Sequence, residues 1–160
     1  LEAASTEVWA VEKEADPFAL ACRNRDLVGA CRVHLERADA TALTTLSHLD
    51  AMVDVVVTNP PYVPGDEMPT QPEASADPHV ALYGGSSDGT AIPVRIIRRA
   101  RTLLRPGGTL LMEHSPSQDA ALRKYAHSAG FVDVETLPGR ARFLRARAPR
   151  STKPTASVTQ

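Results

Sequence analysis

Val53-Asp54-Val55-Val56-Val57-Thr58-Asn59-Pro60-Pro61-Tyr62 is the stretch that decides how this 160-residue chain is read. Its first six residues are mostly β-branched and predict a strand over 53–58. Their near-continuous apolar character suits a parallel strand covered on both faces. The strand stops at Asn59, because the two prolines that follow have no N–H to give a central ladder.

The exit from that strand carries chemistry. Pro60 and Pro61 fix φ and remove two donors, so the backbone is stiff and its carbonyls stay free to accept. Asn59 offers a carboxamide with both donor and acceptor groups, and Tyr62 a ring and a hydroxyl. Together they can hold a planar –NH2 group. The Asn59 oxygen and the Pro60 carbonyl accept its protons, Tyr62 packs on its plane, and Pro61 shapes the slot. A neutral amide or aromatic amine is a poor nucleophile, so positioning and electrostatic help are what its alkylation needs. The plainer alternative is a rigid strand-to-loop exit without chemistry.

Upstream, Glu7–Val11 predicts a strand closed by Glu12. Asp16-Pro17 predicts a helix start, with Asp16 as the cap and Pro17 at the first helical position. Its apolar stripe is Phe18, Ala19, Cys22 and Leu27, and Gly29 is the stop. Val33-His34-Leu35 predicts a further strand, with Asp39 after it. Downstream, 63–86 reads as a long connection containing Pro64, Pro69, Pro72 and Pro78. A loop of more than ~15 residues is usually functional or disordered. The spacing of Ile92, Ile96, Ile97, Ala100, Leu103 and Leu104 predicts a helix over 90–104, ended by Arg105-Pro106-Gly107-Gly108. A strand over 109–113, a helix over 117–129 stopped by Gly130, and strands over 132–135 and 142–145 follow. Residues 148–160 read as a disordered tail. Strands alternating with helices predict an α/β doubly wound sheet, whose ligands sit beyond the carboxyl ends of the strands, where Glu12 and Asn59 fall.

Composition narrows the classes. No apolar run approaches the ~20 residues of a membrane-spanning helix, and no signal peptide is visible. Cys22 and Cys31 are too few for a disulfide scaffold and read as reduced, partly buried thiols in a cytoplasmic protein. The five histidines lack ligand spacing, so no metal site is expected. The net charge of −1 conceals an asymmetry: residues 1–94 hold 5 basic and 15 acidic residues, residues 95–160 hold 13 and 4. The basic half suits a nucleic acid or an acidic protein surface. The plainer reading makes Arg95, Arg98, Arg99, Arg101 and Arg105 the solvated face of one helix.

The tetrapeptide Asn59-Pro60-Pro61-Tyr62 resembles the signature of S-adenosylmethionine-dependent methyltransferases that modify planar nitrogens. Within them the chain resembles the HemK/PrmC family of protein-(glutamine-N5) methyltransferases over about residues 7–147. Matching stretches include Trp9-Ala10-Val11-Glu12, Arg23-Asn24, Ala81-Leu82-Tyr83-Gly84-Gly85 and Asp88-Gly89. Leu104-Arg105-Pro106-Gly107-Gly108, Glu113 with Gln118, and Gly139-Arg140-Ala141-Arg142 also match. The resemblance implies a Rossmann-like class I fold, S-adenosyl-L-methionine as cofactor and a peptide chain release factor as protein partner. By the same resemblance Glu12 would bind the cofactor ribose, Asp39 its adenine amino group, and Asn59 would face both cofactor and substrate. Asn59, Pro60 and Tyr62 would be the catalytic group. Pro61, Glu73, Asp77 and the Gly84-Gly85 turn would complete the substrate side. A monomer is expected.

The chain departs from the family in two ways. The family's first strand and its glycine-rich loop have no counterpart here, and Leu1 is not an initiator Met. The chain therefore reads as a fragment: a partial catalytic domain over residues 1–147 with a tail over 148–160. Loss of a central strand costs far more than the ~5–15 kcal/mol margin of a domain. Weak or no cofactor binding by this chain alone is the expectation. The second departure is Glu113-His114-Ser115-Pro116, where the family usually has a glycine after the acid. Two alternatives stay open: methylation of an exocyclic amine on nucleic acid, and an inactive truncated product.

Overall fold

The computed structural model describes residues 6–65 and 79–150. Glu73 and Asp77, expected on the substrate side, lie outside them, as do residues 151–160 of the expected tail. The chain forms two compact units, residues 1–47 and 48–160.

In the first unit, β1 (Val8–Glu12) and β2 (Val33–Arg37) run parallel, in register from Val8 opposite Val33 to Glu12 opposite Arg37. Parallel neighbours need a crossover, and α1 (Ala15–Leu27) supplies it. The helix begins two residues before the expected Pro17, with Glu14 as its cap rather than Asp16. Glu12 Oε1 accepts the Glu14 N–H at 2.8 Å at the helix entry. Asp16 then falls in the first turn, where the helix dipole favours it. Gly29, at φ +64°, makes the expected stop. The expected apolar stripe does not form a core: no α1 residue is buried, and Leu27 is 85% exposed. Cys31 is exposed as well, not partly buried.

The second unit holds a four-stranded sheet in the order β3-β4-β6-β5. Its strands are β3 (Val53–Thr58), β4 (Leu104–Glu113), β5 (Val132–Thr136) and β6 (Phe143–Arg147). β3 and β4 are parallel, joined through α2 (His79–Leu82) and α3 (Ala91–Leu103); β6 is antiparallel to both β4 and β5. Ile97 and Ala100 of α3, Leu110 and Met112 of β4, Leu122 and Ala126 of α4 (Asp119–Ser128) and Leu144 of β6 form one dry core. Of the stripe read from sequence, Ile96, Ile97, Ala100 and Leu103 are buried on α3 and Leu104 at the start of β4, while Ile92 is half-buried.

Several expectations are corrected. β3 is not covered on both faces: Val55 and Val57 are 51% and 74% exposed. It pairs only with β4, so among the described residues its other edge carries no strand. β4 begins at Leu104, not Thr109. Val53 pairs with Leu104 and Val55 with Thr109, so Arg105–Gly108, although α3 ends just before them as expected, bulge out of a strand that has already begun. Gly107, at φ +79°, makes that bulge possible. Arg99 is no solvated residue: 3% exposed, it donates to Asp50 Oδ1 at 2.7 Å and to Thr102 Oγ1 at 2.6 Å. Order also runs past the expected tail boundary. Ala148 is fully buried and its N–H donates to the Gly108 carbonyl at 2.8 Å. No helix among the described residues is long and apolar enough to cross a membrane.

Candidate active site

Parallel pairing in the first unit brings Glu12 and Asp39 to the same sheet end. Glu12 closes β1, and its carbonyl accepts the Ala38 N–H at 3.1 Å, one residue before Asp39. Both acids are half-buried. Asp39 is held in a turn: Oδ1 accepts the Thr41 N–H at 2.8 Å and the Thr41 hydroxyl at 2.7 Å, while Oδ2 lies 3.8 Å from Lys13 Nζ. Two carboxylates at one carboxyl end suit the hydroxyl and amino donors of a nucleoside. Each has one oxygen engaged by its own turn, which fixes its direction.

The second unit places Asn59-Pro60-Pro61-Tyr62 directly beyond the carboxyl end of β3. Asn59 is exposed and Pro60 buried. Among the described residues, neither the Asn59 carboxamide nor the Pro60 carbonyl takes part in a hydrogen bond. These are the two acceptors that the amide-holding arrangement requires. Beside them is a cavity of ≈ 230 Å³ lined by Val57, Thr58, Asn59, Leu111, Glu113, Leu137 and Phe143. That is below the ~300–1,000 Å³ of drug-sized pockets and suits one side chain. Glu113, at the end of β4, is the acidic residue of that lining among the described residues.

Tyr62 is fixed from two directions. Its hydroxyl oxygen accepts from Arg142 Nη2 at 2.9 Å, and its carbonyl accepts from Gln118 Nε2 at 2.8 Å. The corner also pairs with the turn that precedes α3: the Val63 N–H donates to the Leu82 carbonyl at 2.8 Å, and the Gly84 N–H to the Val63 carbonyl at 2.9 Å. Gly84 is required by space, since a Cβ there would stand 1.9 Å from the Gly89 carbonyl oxygen. Asp88 caps α3. Its Oδ1 accepts the Ser86 hydroxyl at 2.7 Å, the Thr90 hydroxyl at 2.8 Å and the Thr90 N–H at 3.0 Å. The Ser86 bond first, then the two from Thr90, hold its carboxyl below the ordinary 3.8. A 3-10 turn (Pro116–Gln118) follows Ser115, and His114 before it is fully buried.

Sequence reasoning gave Gln118 and Arg142 no role, although both lie in matched stretches. Their partners are 56 and 80 residues away in the chain. Local pattern has no access to such contacts.

No family model matches the chain. It is 46% identical, over 89% of its length, to the release factor glutamine methyltransferase of Bifidobacterium longum (strain NCC 2705). It is 38% identical over 91% of its length to the protein of that name from Streptomyces coelicolor. The matches cover 52% of each relative, so the chain spans about half the length of the curated relatives it matches. Solved structures give the fold. A methyltransferase from Pyrococcus furiosus superimposes with a TM-score of 0.63 at 18% identity, covering 89% of this chain and 63% of that one. A predicted O-methyltransferase from Agrobacterium tumefaciens gives 0.59 at 18%, covering 96% and 72%. The fold is accordingly the Rossmann-like α/β fold of class I methyltransferases. Over the half of their length that it spans, this chain belongs to the family of the release factor glutamine methyltransferases.

Proposed function

We propose that the protein carrying this domain transfers a methyl group from S-adenosyl-L-methionine to the side-chain amide nitrogen of a glutamine in a peptide chain release factor. One observation carries the reading: among the described residues, the Asn59 carboxamide and the Pro60 carbonyl stand unengaged at the end of β3, beside a cavity sized for one side chain. The name shared by the relatives supports the choice of acceptor.

Asn59 Oδ1 and the Pro60 carbonyl accept the two protons of the acceptor amide and fix its plane. Tyr62 packs on that plane, and Pro61 keeps the corner from yielding. Glu12 and Asp39 hold the nucleoside part of the cofactor by its hydroxyl and amino donors. Bound there, S-adenosyl-L-methionine supplies an electrophilic methyl on a sulfonium. No strong base is needed if a fixed acceptor already draws the departing N–H proton. Glu73 belongs to the substrate side, and the protein works in the cytoplasm as a monomer.

The test is transfer of labelled methyl to purified release factor and to total nucleic acid in parallel. Label on a glutamine of the release factor is the expected result. Label on nucleic acid instead would replace this reading with exocyclic-amine methylation, and no label on either favours an inactive product.

A further inference from the structure

We propose that Gln118 is a positioning residue for the amide slot, acting through the Tyr62 carbonyl. The inference rests on the reading that Asn59 and Pro60 hold the acceptor amide.

Gln118 is 4% exposed. Its two amide protons go to two carbonyls from different parts of the chain: Tyr62 at 2.8 Å and Asp88 at 2.7 Å. Its Oε1 accepts the Ser115 N–H at 3.3 Å. Acceptors on one side and a donor on the other fix which end of the amide is nitrogen. One side chain thus ties the exit of β3, the turn before α3 and the turn after β4.

The joint is closely packed against Gly89. A Cβ on Gly89 would stand 2.2 Å from the Tyr62 carbonyl oxygen and 2.8 Å from Gln118 Nε2. Only a side chain with two N–H donors on one nitrogen can serve both carbonyls there, and a buried carbonyl left unserved costs free energy. Tyr62 closes the corner whose other end is Asn59. With φ already set at Pro60 and Pro61, anchoring the Tyr62 carbonyl removes the corner's remaining freedom. Small misplacements of a reacting group cost rate steeply.

The experiment uses the enzyme in its full encoded form, as wild type, Gln118→Met and Gln118→Glu. Steady-state kinetics on release factor are read beside the cofactor KM and a pH profile. For Q118M, kcat/KM for the acceptor is expected to fall about ten-fold or more, with acceptor KM raised and cofactor KM changed less than about two-fold. For Q118E, kcat/KM is expected to rise as pH falls relative to wild type, because a protonated carboxyl returns one donor to the two carbonyls. A purely structural role predicts fewer folded molecules: lower apparent kcat, both KM values unchanged, and a Q118E profile parallel to wild type. That result, or wild-type kinetics in Q118M, overturns the proposal. If Q118M does not fold, the Q118E profile decides alone. N59A separates the two levels. Unchanged turnover in N59A removes the slot reading itself, whereas lost turnover in N59A with wild-type behaviour in both Gln118 variants removes only the role of Gln118.

Discussion

Arg142 donates through Nη2 to the Tyr62 hydroxyl oxygen at 2.9 Å, and its guanidinium carbon lies 6.0 Å from the centroid of the same ring. The contact joins the segment before β6 to the corner after β3 and holds the ring that, under the proposed function, packs on the acceptor amide. Arg142 is exposed, so the effect is modest. An exposed hydrogen bond with a cation beside a ring contributes about 0.5–1.5 kcal/mol. Arg142→Met should therefore lower kcat/KM for the acceptor by roughly two- to ten-fold, with thermal stability near wild type. Unchanged kinetics would show that the ring needs no such support.

Gly89 and Gly139 share φ +69° but differ in surroundings. A Cβ on Gly139 meets nothing within 4 Å, whereas one on Gly89 meets the Tyr62 carbonyl at 2.2 Å. Left-handed backbone alone costs a non-glycine residue about 1–2 kcal/mol. Gly139→Ala should lose about that much in urea unfolding, and Gly89→Ala clearly more. Equal losses would mean that space around the corner is not what selects glycine at 89.

Asp88 supplies a pH dependence. Its folded carboxyl titrates below the ordinary 3.8, chiefly because of the Ser86 hydroxyl and then Thr90. A depressed folded pKa contributes stability that is fully present above the unfolded value and is lost as pH falls through the folded one. The contribution is therefore constant from neutral pH down to about 4 and disappears below that. Asp88→Asn should be less stable than wild type at pH 7, and the gap should narrow below pH ~4. Urea midpoints across that range measure it; a gap that widens on acidification would contradict the assignment.

The cofactor side sets a limit on this polypeptide alone. Among residues 1–47 the only glycine is Gly29, at the end of α1, far along the chain from the carboxyl ends of β1 and β2. Close backbone approach to a nucleotide usually requires glycine at a strand exit. Among the described residues, β1 and β3 each pair along one edge only. Calorimetry on the 160-residue chain should show no micromolar binding of S-adenosyl-L-methionine, and micromolar affinity would overturn this expectation.

What the sequence made legible was whatever depended on neighbours in the chain. β3, the diproline exit and the α3 stripe follow from composition and spacing, and the structure has them at those positions. Arg105-Pro106-Gly107-Gly108 misled, because proline and glycine break regular ladders, yet the partner strand tolerates a bulge and β4 runs on. Arg99 misled because charge suggests solvent, while Asp50 offers a carboxylate to bury against. Ala148 looked like tail, since an alanine carries little local signal and its burial is decided by β4. Of the proposed site, Glu12, Asp39 and Asn59-Pro60-Pro61-Tyr62 are named from the sequence, and the structure places Glu12 and Asp39 at one sheet end and the tetrapeptide beyond β3. The supports of the corner, Gln118 and Arg142, act across the fold and became visible only there.

The most direct measurement is turnover of the full-length enzyme carrying Asn59→Ala, read as labelled methyl on release factor glutamine. If the Asn59 oxygen and the Pro60 carbonyl share the acceptor amide, loss of one partner should reduce kcat/KM by about a hundred-fold or more with the fold intact, in line with removal of a preorganised polar contact at a reacting group. Wild-type turnover in that variant would contradict the account at its root.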